Sequence, residues 1–438
     1  MRLSRYVPSL TVALSLGLLL PALPAQATSA ALARSDTGQT RHIGYSRWDS
    51  AADFAAGRSQ GVRVAHGKLR IDVPAGSRTY ADPAGGRTRA YDFGRWTSPW
   101  VASQFGLTEL VASWKATTPR DSWVQVEVRG VSEGGTRSSW DTLARWSAGD
   151  AAFRRTSLGS QGDDLARVAT DTWEANYGGF RSWQLRVTLN RRAGTTAVPR
   201  VDTIGAMTSA LPLQSSVRTS ATTMKRDVLL DVPAYSQMTH TGEYPQYGGG
   251  GEAWCSPTST TMVLDYFDAL PAPATYAWVN PRYRDRVVAH SARMTYDYGY
   301  RGTGNWPFNT AYAATRTDSA FVTRLRSLRE AERIVRAGIP VIASITFGRG
   351  ELTGAPISAS NGHLLVIVGF TSTGDVVVND PAARSNGTVR RTYDRGQFED
   401  AWLKRHPSGN GMRGSGGLVY LIHDDAHPLP PAPVNANW

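Results

Sequence analysis

Apolar and polar residues alternate in short runs along the first half of this 438-residue chain. An alternation of period two places successive side chains on opposite faces of a strand, so these runs predict half-buried β-strands. The clearest runs are KLRIDVP (68–74), ELVASWKA (109–116), SWVQVEVRGV (122–131) and RSWQLRVTL (181–189). Gly, Asp, Pro and Ser separate them, and no long segment has the 3.6-residue period of a helix. Residues 41–205 are therefore predicted to form an all-β sandwich or jelly roll.

Nine of the fourteen tryptophans lie in this predicted β-region. Tryptophan rings exposed on a sheet can stack on sugar rings, whereas buried ones belong to the core, which is the more common position. The sequence leaves both interpretations open. The nine residues are Trp48, Trp96, Trp100, Trp114, Trp123, Trp140, Trp146, Trp173 and Trp183.

The positive charge of the chain is concentrated in its first half. Residues 1–225 contain 28 Lys and Arg against 17 Asp and Glu, whereas residues 226–438 contain 20 against 19. A basic surplus attracts anionic polymers such as wall teichoic acid, acidic glycans or extracellular nucleic acid, and it also occurs on surfaces that only keep a protein soluble. An anionic cell-wall polymer or glycan is the candidate partner of this half, and we expect no specific nucleic acid.

The first 27 residues have the pattern of a secretory signal peptide. Two arginines stand within the first five residues, an apolar run follows over residues 12–20, and residues 25–27 (Ala-Gln-Ala) resemble a cleavage site. The apolar run is shorter than the roughly 20 residues that a membrane-spanning helix needs. We therefore predict cleavage near Ala27 and a secreted, extracellular protein without a membrane span.

From residue 228 onward, the pattern changes to a mixture of helical and strand-like segments. Residues 327–338 have a helical apolar face closed by glycine, and residues 341–347 form an apolar strand. The segments GHLLVIVGF and DVVVND predict a β-hairpin. We predict a flexible linker at 206–227, an α+β domain at 228–425 and a Pro-rich tail at 426–438.

Cys255 is the only cysteine, so no disulfide can form within the chain. In an oxidising compartment, a lone thiol is either buried and inert or kept for its reactivity. Pro257 and the apolar residues after it predict a helix that starts at Cys255. The free N–H groups and the dipole at a helix N-terminus stabilise a thiolate, and the glycines at 248–251 let the backbone turn sharply before it. This position favours a reactive thiol.

A nucleophilic thiol needs a base and a group that orients the base. His363 stands at the start of an apolar strand, and Asp380 ends the next strand at the same edge of the sheet. Gln237 follows a predicted strand, where its amide could donate to a developing oxyanion. Each residue also has a structural interpretation, as a core histidine, a turn cap before proline and a surface amide. Their combination with Cys255 favours catalysis.

The hairpin between His363 and Asp380 sets a geometric condition on this hypothesis. A symmetric hairpin centred on the turn signal Thr373-Gly374 would pair Asp380 with Ile367. Asp380 would then lie four residues from the row of His363, which is roughly 13 Å along a strand. We therefore predict an asymmetric loop or a β-bulge near Gly369 that shifts the register.

Four motifs carry a family resemblance, and they occur in the order VPAYSQ, WCSPTSTTMVLDYF, GHLLVIVGF and VVVNDP. On these motifs, residues 228–423 resemble the bacteriocin-processing (double-glycine) peptidase-like domain of the papain-like cysteine peptidase superfamily, in a stand-alone secreted form. The resemblance implies a papain-like fold, in which a helical lobe starts at the cysteine and packs on an antiparallel sheet. It also implies Cys255 as nucleophile, His363 as base, Asp380 as orienting residue and Gln237 in the oxyanion hole.

Residues 96–172 are similar to an aromatic-rich β-module that precedes peptidase-like domains in secreted actinobacterial proteins. The whole sequence therefore predicts a secreted cysteine peptidase that cleaves a peptide or protein substrate through a Cys-His-Asp triad and a thioester intermediate. Two alternatives stay open: a peptidoglycan stem-peptide amidase or endopeptidase, and a catalytically inactive cell-wall or glycan-binding protein. Because the motifs of zinc and phosphate sites are missing from the sequence, we expect neither a metal nor another cofactor.

Overall fold

The alternating runs of the first half form antiparallel sheets in a computed structural model of the protein. The structure describes residues 40–82, 88–159, 161–408, 411–433 and 436–438, and the predicted signal peptide lies outside these residues. We call residues 40–210 the N-terminal region. Its described elements are β1 His42–Trp48, α1 Ala51–Ala55, β2 Arg58–Gln60, β3 Val62–Ala65, β4 Lys68–Ile71, β5 Gly76–Tyr80, β6 Arg89–Thr97, β7 Val101–Leu107, β8 Glu109–Thr117, β9 Ser122–Ser132, β10 Asp141–Trp146, β11 Thr156–Ser157, β12 Ala166–Ala169, β13 Thr172–Ala175, β14 Phe180–Arg192 and β15 Arg200–Ala210.

Two antiparallel sheets of the N-terminal region enclose one apolar core. The first sheet has the strand order β12-β13-β8-β15-β4-β3, with β1 paired to β15. The second has the order β11-β10-β9-β14-β6-β2, with β5 on β6 and β7 on β14. Alternate residues of both sheets meet in the core, including Leu110 and Ala112 from β8 and Val124 and Val126 from β9. The mostly β character predicted for this region is confirmed, and the period-two pattern is its cause.

The tryptophans of the N-terminal region are mainly core residues. Seven of the nine are buried, namely Trp48, Trp96, Trp114, Trp123, Trp146, Trp173 and Trp183. Trp100 is 37% exposed, but the guanidinium of Arg129 lies 5.1 Å from its ring centroid and 4.4 Å from that of Trp140. Sugar stacking needs an open aromatic face. The sugar-platform interpretation is therefore wrong for the seven buried residues.

The C-terminal region, residues 211–438, combines helices with one large antiparallel sheet. Its described elements are β16 Val228–Leu229, α2 Cys255–Tyr266, α3 Arg286–Thr295, α4 Trp306–Ala314, β17 Ser319–Arg324, α5 Leu328–Arg336, β18 Val341–Phe347, β19 Ser360–Phe370, β20 Val376–Asn379, β21 Arg390–Tyr393, α6 Arg395–Leu403, β22 His406–Ser408, β23 Gly411–Arg413 and β24 Leu418–His423. The predicted helix α5, the strand β18 and the hairpin β19–β20 are confirmed. Within the described residues, no helix is both long and apolar enough to cross a membrane.

Helices cover both faces of the sheet in the C-terminal region. The strand order is β17-β24-β18-β19-β20-β21, and β16 pairs with β19. Ile342 and Val366 face a core shared with α2 and α4, whereas Val341 and Ile367 face a core shared with α5 and α6. Strands buried on both faces need apolar residues at every position. This requirement explains the apolar runs at residues 341–343 of β18 and 364–368 of β19.

The predicted linker, residues 206–227, begins inside β15, which ends at Ala210. Its remaining residues run along the C-terminal region. The main-chain N–H of the buried Ser220, for example, donates to a carboxylate oxygen of Glu399 in α6 at 2.6 Å. Side-chain carboxylates thus satisfy main-chain donors of this segment, and the main chain of Gln214 pairs with that of Arg405 in an antiparallel bridge.

A buried polar contact centred on Arg155 joins the N-terminal and C-terminal regions. Its Nη1 donates to the carbonyl oxygens of Arg293 at 2.9 Å and Tyr296 at 3.2 Å, and its Nε donates to that of Ser147 at 3.1 Å. Beside it, the two carboxylate oxygens of Asp150 accept hydrogen bonds of 2.8 and 2.9 Å from Arg293. Directional hydrogen bonds across the boundary fix how the two regions pack, because each partner left alone would be a buried unpaired group.

We expect Arg155→Ala to lower the free energy of unfolding by about 3 kcal/mol, because buried carbonyl oxygens of both regions lose their donor. Urea denaturation followed by tryptophan fluorescence measures the change. Arg63→Ala is the control, since Arg63 forms an exposed ion pair with Asp72 whose loss costs less than about 1 kcal/mol. Equal unfolding midpoints for the two variants would contradict the structural role of Arg155.

Candidate active site

Cys255 lies in the first turn of α2, at the exposed end of a helix that is otherwise buried in the protein. Cys255 is partly exposed, whereas every residue from Ser256 to Leu264 is buried. Small hydroxyl side chains let the helix approach β19 closely, and Ser259 Oγ donates to the carbonyl oxygen of Leu364 at 3.2 Å. The N–H groups of a first helical turn have no partner within the helix, so this end carries partial positive charge. The fold thus places the thiol where a negative charge is stabilised.

The strand β19 brings His363 against this thiol. His363 pairs across the sheet with Ile345 of β18, and its side chain is buried. Cys255 and His363 line the same cleft, and the interaction of the thiol with the imidazole and with the main-chain N–H of Leu364 lowers the pKa of Cys255 against the effect of burial. Because Nε2 is bound to Asp380, Nδ1 is the ring nitrogen left for the thiol. Two residues that are 108 positions apart in the sequence therefore touch in the fold.

Asp380 lies within hydrogen-bond distance of His363. Its Oδ1 is 2.7 Å from His363 Nε2, although β20 ends one residue earlier, at Asn379. The ladder between β19 and β20 pairs Ile367 with Val378 but Gly369 with Val377, so β19 bulges between these two pairs. The predicted bulge near Gly369 is confirmed. Because Val366 pairs with Asn379, the next position places Asp380 opposite Leu365, two residues from His363 and on the same face of the sheet. Side chains reach across such a diagonal, and here the carboxylate meets the imidazole.

The carboxylate of Asp380 has further partners that hold its orientation. Its Oδ2 accepts a 2.7 Å hydrogen bond from the hydroxyl of Tyr393, and its Oδ1 accepts one of 3.0 Å from the N–H of Ala382. Tyr393 is the last residue of β21 and is buried. Sequence reasoning missed it, because a tyrosine at a strand end gives no local signal of what its hydroxyl contacts. The adjacent Asn379 turns to the other face, where its amide donates to the carbonyl oxygen of Val232.

The electrostatics of these three residues favour their charged forms. Burial opposes the thiolate, but the hydrogen bond and the charge of His363 hold the pKa of Cys255 below its usual value. Burial likewise opposes the imidazolium, but Asp380 and then Cys255 raise the pKa of His363 to about 10. The pKa of Asp380 is lowered by His363 and Tyr393 against the effect of its own burial. The cluster can therefore hold a thiolate, an imidazolium and a carboxylate together.

Gln237 lines the same cleft as Cys255, although it lies 18 positions earlier in the sequence. Gln237 starts the 3-10 turn Gln237–His240, and its Nε2 donates to the carbonyl oxygen of Glu252 at 2.7 Å. The intervening chain loops out and returns, because Gly248, Gly249 and Gly250 adopt positive φ. At Gly251 a Cβ would lie 2.4 Å from the backbone of His240, so only glycine lets the turn Gly251–Ala253 pack against the turn Gln237–His240. The structure thus brings Gln237 beside the residues that precede the thiol.

A cleft of about 840 Å³ opens at Cys255 and His363, a volume in the range of peptide and ligand sites. The N-terminal region supplies part of its lining, as do the loop from Tyr300 to Trp306 and the start of β19. The lining includes Ala169, Thr170, Asp171, Thr172, Glu174, Gln237, Glu252, Tyr300, Arg301, Trp306, Ser360, Asn361 and Gly362. Both regions therefore meet at the candidate site.

Besides His363, two histidines form pairs with carboxylates. His240 Nδ1 lies 2.9 Å from Glu243, and His427 Nδ1 lies 2.7 Å from Asp424. In the part of the chain that the structure describes, no three His, Cys, Asp or Glu residues gather as a metal site requires.

Comparisons with known proteins agree with this organisation. Residues 44–209 match the family described as Peptidase C39 N-terminal domain, and residues 229–410 match the Peptidase_C39 like family. No curated protein matches the chain. Among solved structures, the laminarinase from Rhodothermus marinus is similar at 10% sequence identity and a TM-score of 0.16, over 39% of this chain and 94% of that chain. A LamA variant from Z. galactanivorans, in complex with laminaritriose and laminaritetraose, is similar at 9% identity and a TM-score of 0.15, over 34% of this chain and 81% of that chain.

TM-scores this low do not establish a shared fold with either of the two solved structures. The family matches, by contrast, cover the two halves of the chain separately, with the N-terminal domain first and the peptidase second. Residues 229–410 include all four motifs on which the sequence resemblance depends. The chain therefore carries a C39 papain-like cysteine peptidase domain, preceded by a domain of the C39 peptidase N-terminal family.

Proposed function

We propose that the protein hydrolyses peptide bonds with Cys255 as nucleophile, His363 as base and Asp380 as the residue that orients the base. One observation carries the proposal: His363 contacts Cys255 and lies 2.7 Å from Asp380 in a cleft that is open to solvent. A nucleophile next to a base that a third group orients is the arrangement that covalent catalysis needs. A papain-like fold of residues 228–425 is part of this proposal, and the packing of α2 on β19 supports it.

In the proposed acylation step, the Cys255 thiolate attacks the carbonyl carbon of the scissile bond. The carbon–nitrogen bond breaks as the imidazolium of His363 gives its proton to the leaving amine, which leaves an acyl thioester on the sulfur. Water then attacks the thioester while His363 accepts a proton, and the carboxylic acid product leaves the thiol free. Asp380 keeps the imidazole in place and stabilises its cation in both steps.

Two donors are positioned for the oxyanion of the tetrahedral intermediate. The main-chain N–H of Cys255 belongs to the first turn of α2 and has no partner within the helix. Gln237 Nε2 uses one hydrogen on the carbonyl oxygen of Glu252 and keeps a second for the cleft. Fixed donors of this kind stabilise charge that develops in the transition state.

We further propose that the protein works outside the cell. The signal-peptide pattern of residues 1–27 supports secretion. A substrate in the form of a peptide agrees with the volume of the cleft, about 840 Å³. Secreted amidases for peptidoglycan stem peptides would use the same chemistry. Amine release from purified cell wall, compared with release from casein, separates the two substrates.

The first prediction concerns the protonation state of Cys255. An ordinary thiol of pKa about 8.5 is only roughly 0.3% ionised at pH 6, but a lowered pKa keeps the Cys255 thiolate populated as the pH falls. At pH 6 we expect iodoacetamide to alkylate Cys255 of the wild-type protein at least about tenfold faster than Cys255 of His363→Ala. In the control variant His66→Ala, the alkylation rate of Cys255 should equal that of wild type. Profiles of rate against pH that coincide for wild type and His363→Ala would refute the thiolate–imidazolium pair.

The second prediction concerns hydrolysis itself. Cys255→Ala should lose peptide hydrolysis entirely, because no other group can form the thioester, while its circular dichroism and melting temperature stay at the wild-type values. Release of new amino termini from casein measures the activity. If Cys255→Ala keeps wild-type activity, the nucleophile has been assigned wrongly. A wild-type protein that alkylates rapidly but hydrolyses neither casein nor cell wall would favour the binding-protein alternative.

The third prediction concerns Gln237. Gln237→Ala should lower kcat by about 10²- to 10³-fold with little change in KM, because the lost donor acts mainly on the transition state. Gln246→Ala, in the loop between Gln237 and Cys255, is the control, and we expect it to keep kcat within about twofold. A Gln237→Ala variant that raises KM alone would show that the amide binds substrate rather than the oxyanion.

A further inference from the structure

The wall of the cleft that contains Cys255 and His363 includes residues of the N-terminal region. The hairpin of β12 and β13 contributes residues 169–172 and Glu174 to a cleft that also contains Cys255. β12 is the edge strand of its sheet, so no further strand of that sheet separates it from the cleft. A domain that served only to attach the peptidase to a cell-wall polymer would not need a hairpin tip in the cleft of the nucleophile.

Hydrogen bonds from the N-terminal region also fix the loop of residues 297–306, which forms the neighbouring part of this wall. Asp297 Oδ1 accepts a 3.0 Å hydrogen bond from the main-chain N–H of Ser157, and the same oxygen accepts from Tyr300 N at 3.2 Å. Further along the loop, Trp306 N donates to Asp171 Oδ2 at 2.8 Å. The loop that carries the exposed Tyr300 into the cleft is therefore fixed at both ends by residues before position 172.

The tip of the hairpin has a backbone conformation that packing must maintain. Thr170 has φ of +57°, and the N–H of Asp171 donates to the carbonyl oxygen of Ala169 at 2.7 Å, which closes a three-residue turn. Positive φ is unfavourable for a β-branched residue and persists only where the surroundings impose it. Here the bond from Trp306 to Asp171 ties the tip to the C-terminal region. The tip is thus a fixed part of the wall.

We propose that the N-terminal region is part of the substrate-binding site, and that Ala169 and Thr170 determine which peptide segments fit beside the scissile bond. The nature of the substrate rests on the proposed peptidase function, whereas the shape of the wall does not. Ala169 is exposed and Thr170 half-exposed at the cleft, so a larger side chain at either position fills space that an extended peptide would occupy. A reagent as small as iodoacetamide would still reach the thiol.

The test compares two alkylating reagents of different length on Ala169→Trp. We expect an iodoacetyl-capped tetrapeptide to alkylate Cys255 about tenfold more slowly than in wild type, and the iodoacetamide rate to change less than about twofold. Ala65→Trp is the matched control, because Ala65 holds the same place in the β3–β4 hairpin, before a tip residue of positive φ, His66. It should leave both rates unchanged.

Thr170→Trp, with His66→Trp as its control, tests the next position in the same way. Equal tetrapeptide rates for wild type and both cleft variants would overturn the proposal. A fall in both reagent rates would overturn it too, because that result means a damaged thiol rather than a narrower cleft.

For a peptide that the enzyme hydrolyses, Ala169→Trp should raise KM about tenfold and leave kcat nearly unchanged. Since alkylation needs no turnover, an enzyme inactive on every peptide would refute the proposed function without affecting this comparison.

Discussion

The site depends on the 2.7 Å contact between His363 and Asp380, two buried residues on neighbouring strands. Burial penalises a lone imidazolium and a lone carboxylate, and only their contact lets both stay charged. The bulge in β19 makes the contact possible, because without it Asp380 would fall opposite Val366, on the other face of the sheet from His363. Once the imidazole is fixed, the end of α2 that packs on β19 has its thiol within reach of it.

The position of Gln237 in the cleft depends on a different constraint, the return of the loop between residues 238 and 254. Glycines at positive φ turn this loop, and the absence of a side chain at Gly251 lets its backbone lie against His240. A long insertion costs little free energy when its ends stay together, since loop-closure entropy grows slowly with length. The wide spacing of Gln237 and Cys255 in the sequence is therefore compatible with their closeness in the fold.

The two regions of the chain line one cleft. Buried hydrogen bonds from Arg155 hold the regions together close to the loop that lines the cleft. The hairpin tip at Thr170 then reaches the cleft from the N-terminal side. The basic surplus of the first half gave an expectation of binding to anionic polymers, but charge alone gave no reason to expect this contribution to the cleft. Only packing across the boundary reveals it.

The sequence by itself determined the β character of the first half, the helix that starts at Cys255, the hairpin β19–β20 and the identity of the residues that meet at the site. These features follow from local periodicity, turn residues and side-chain chemistry, which depend on residues that are close together in the sequence. The sequence also required a register shift between His363 and Asp380 without choosing its form. Tertiary structure decided the bulge, the partner hydroxyl of Tyr393, the burial of seven tryptophans and the hairpin wall at Ala169 and Thr170. Each of these depends on contacts between segments that are distant in the chain, and no local pattern specifies such contacts.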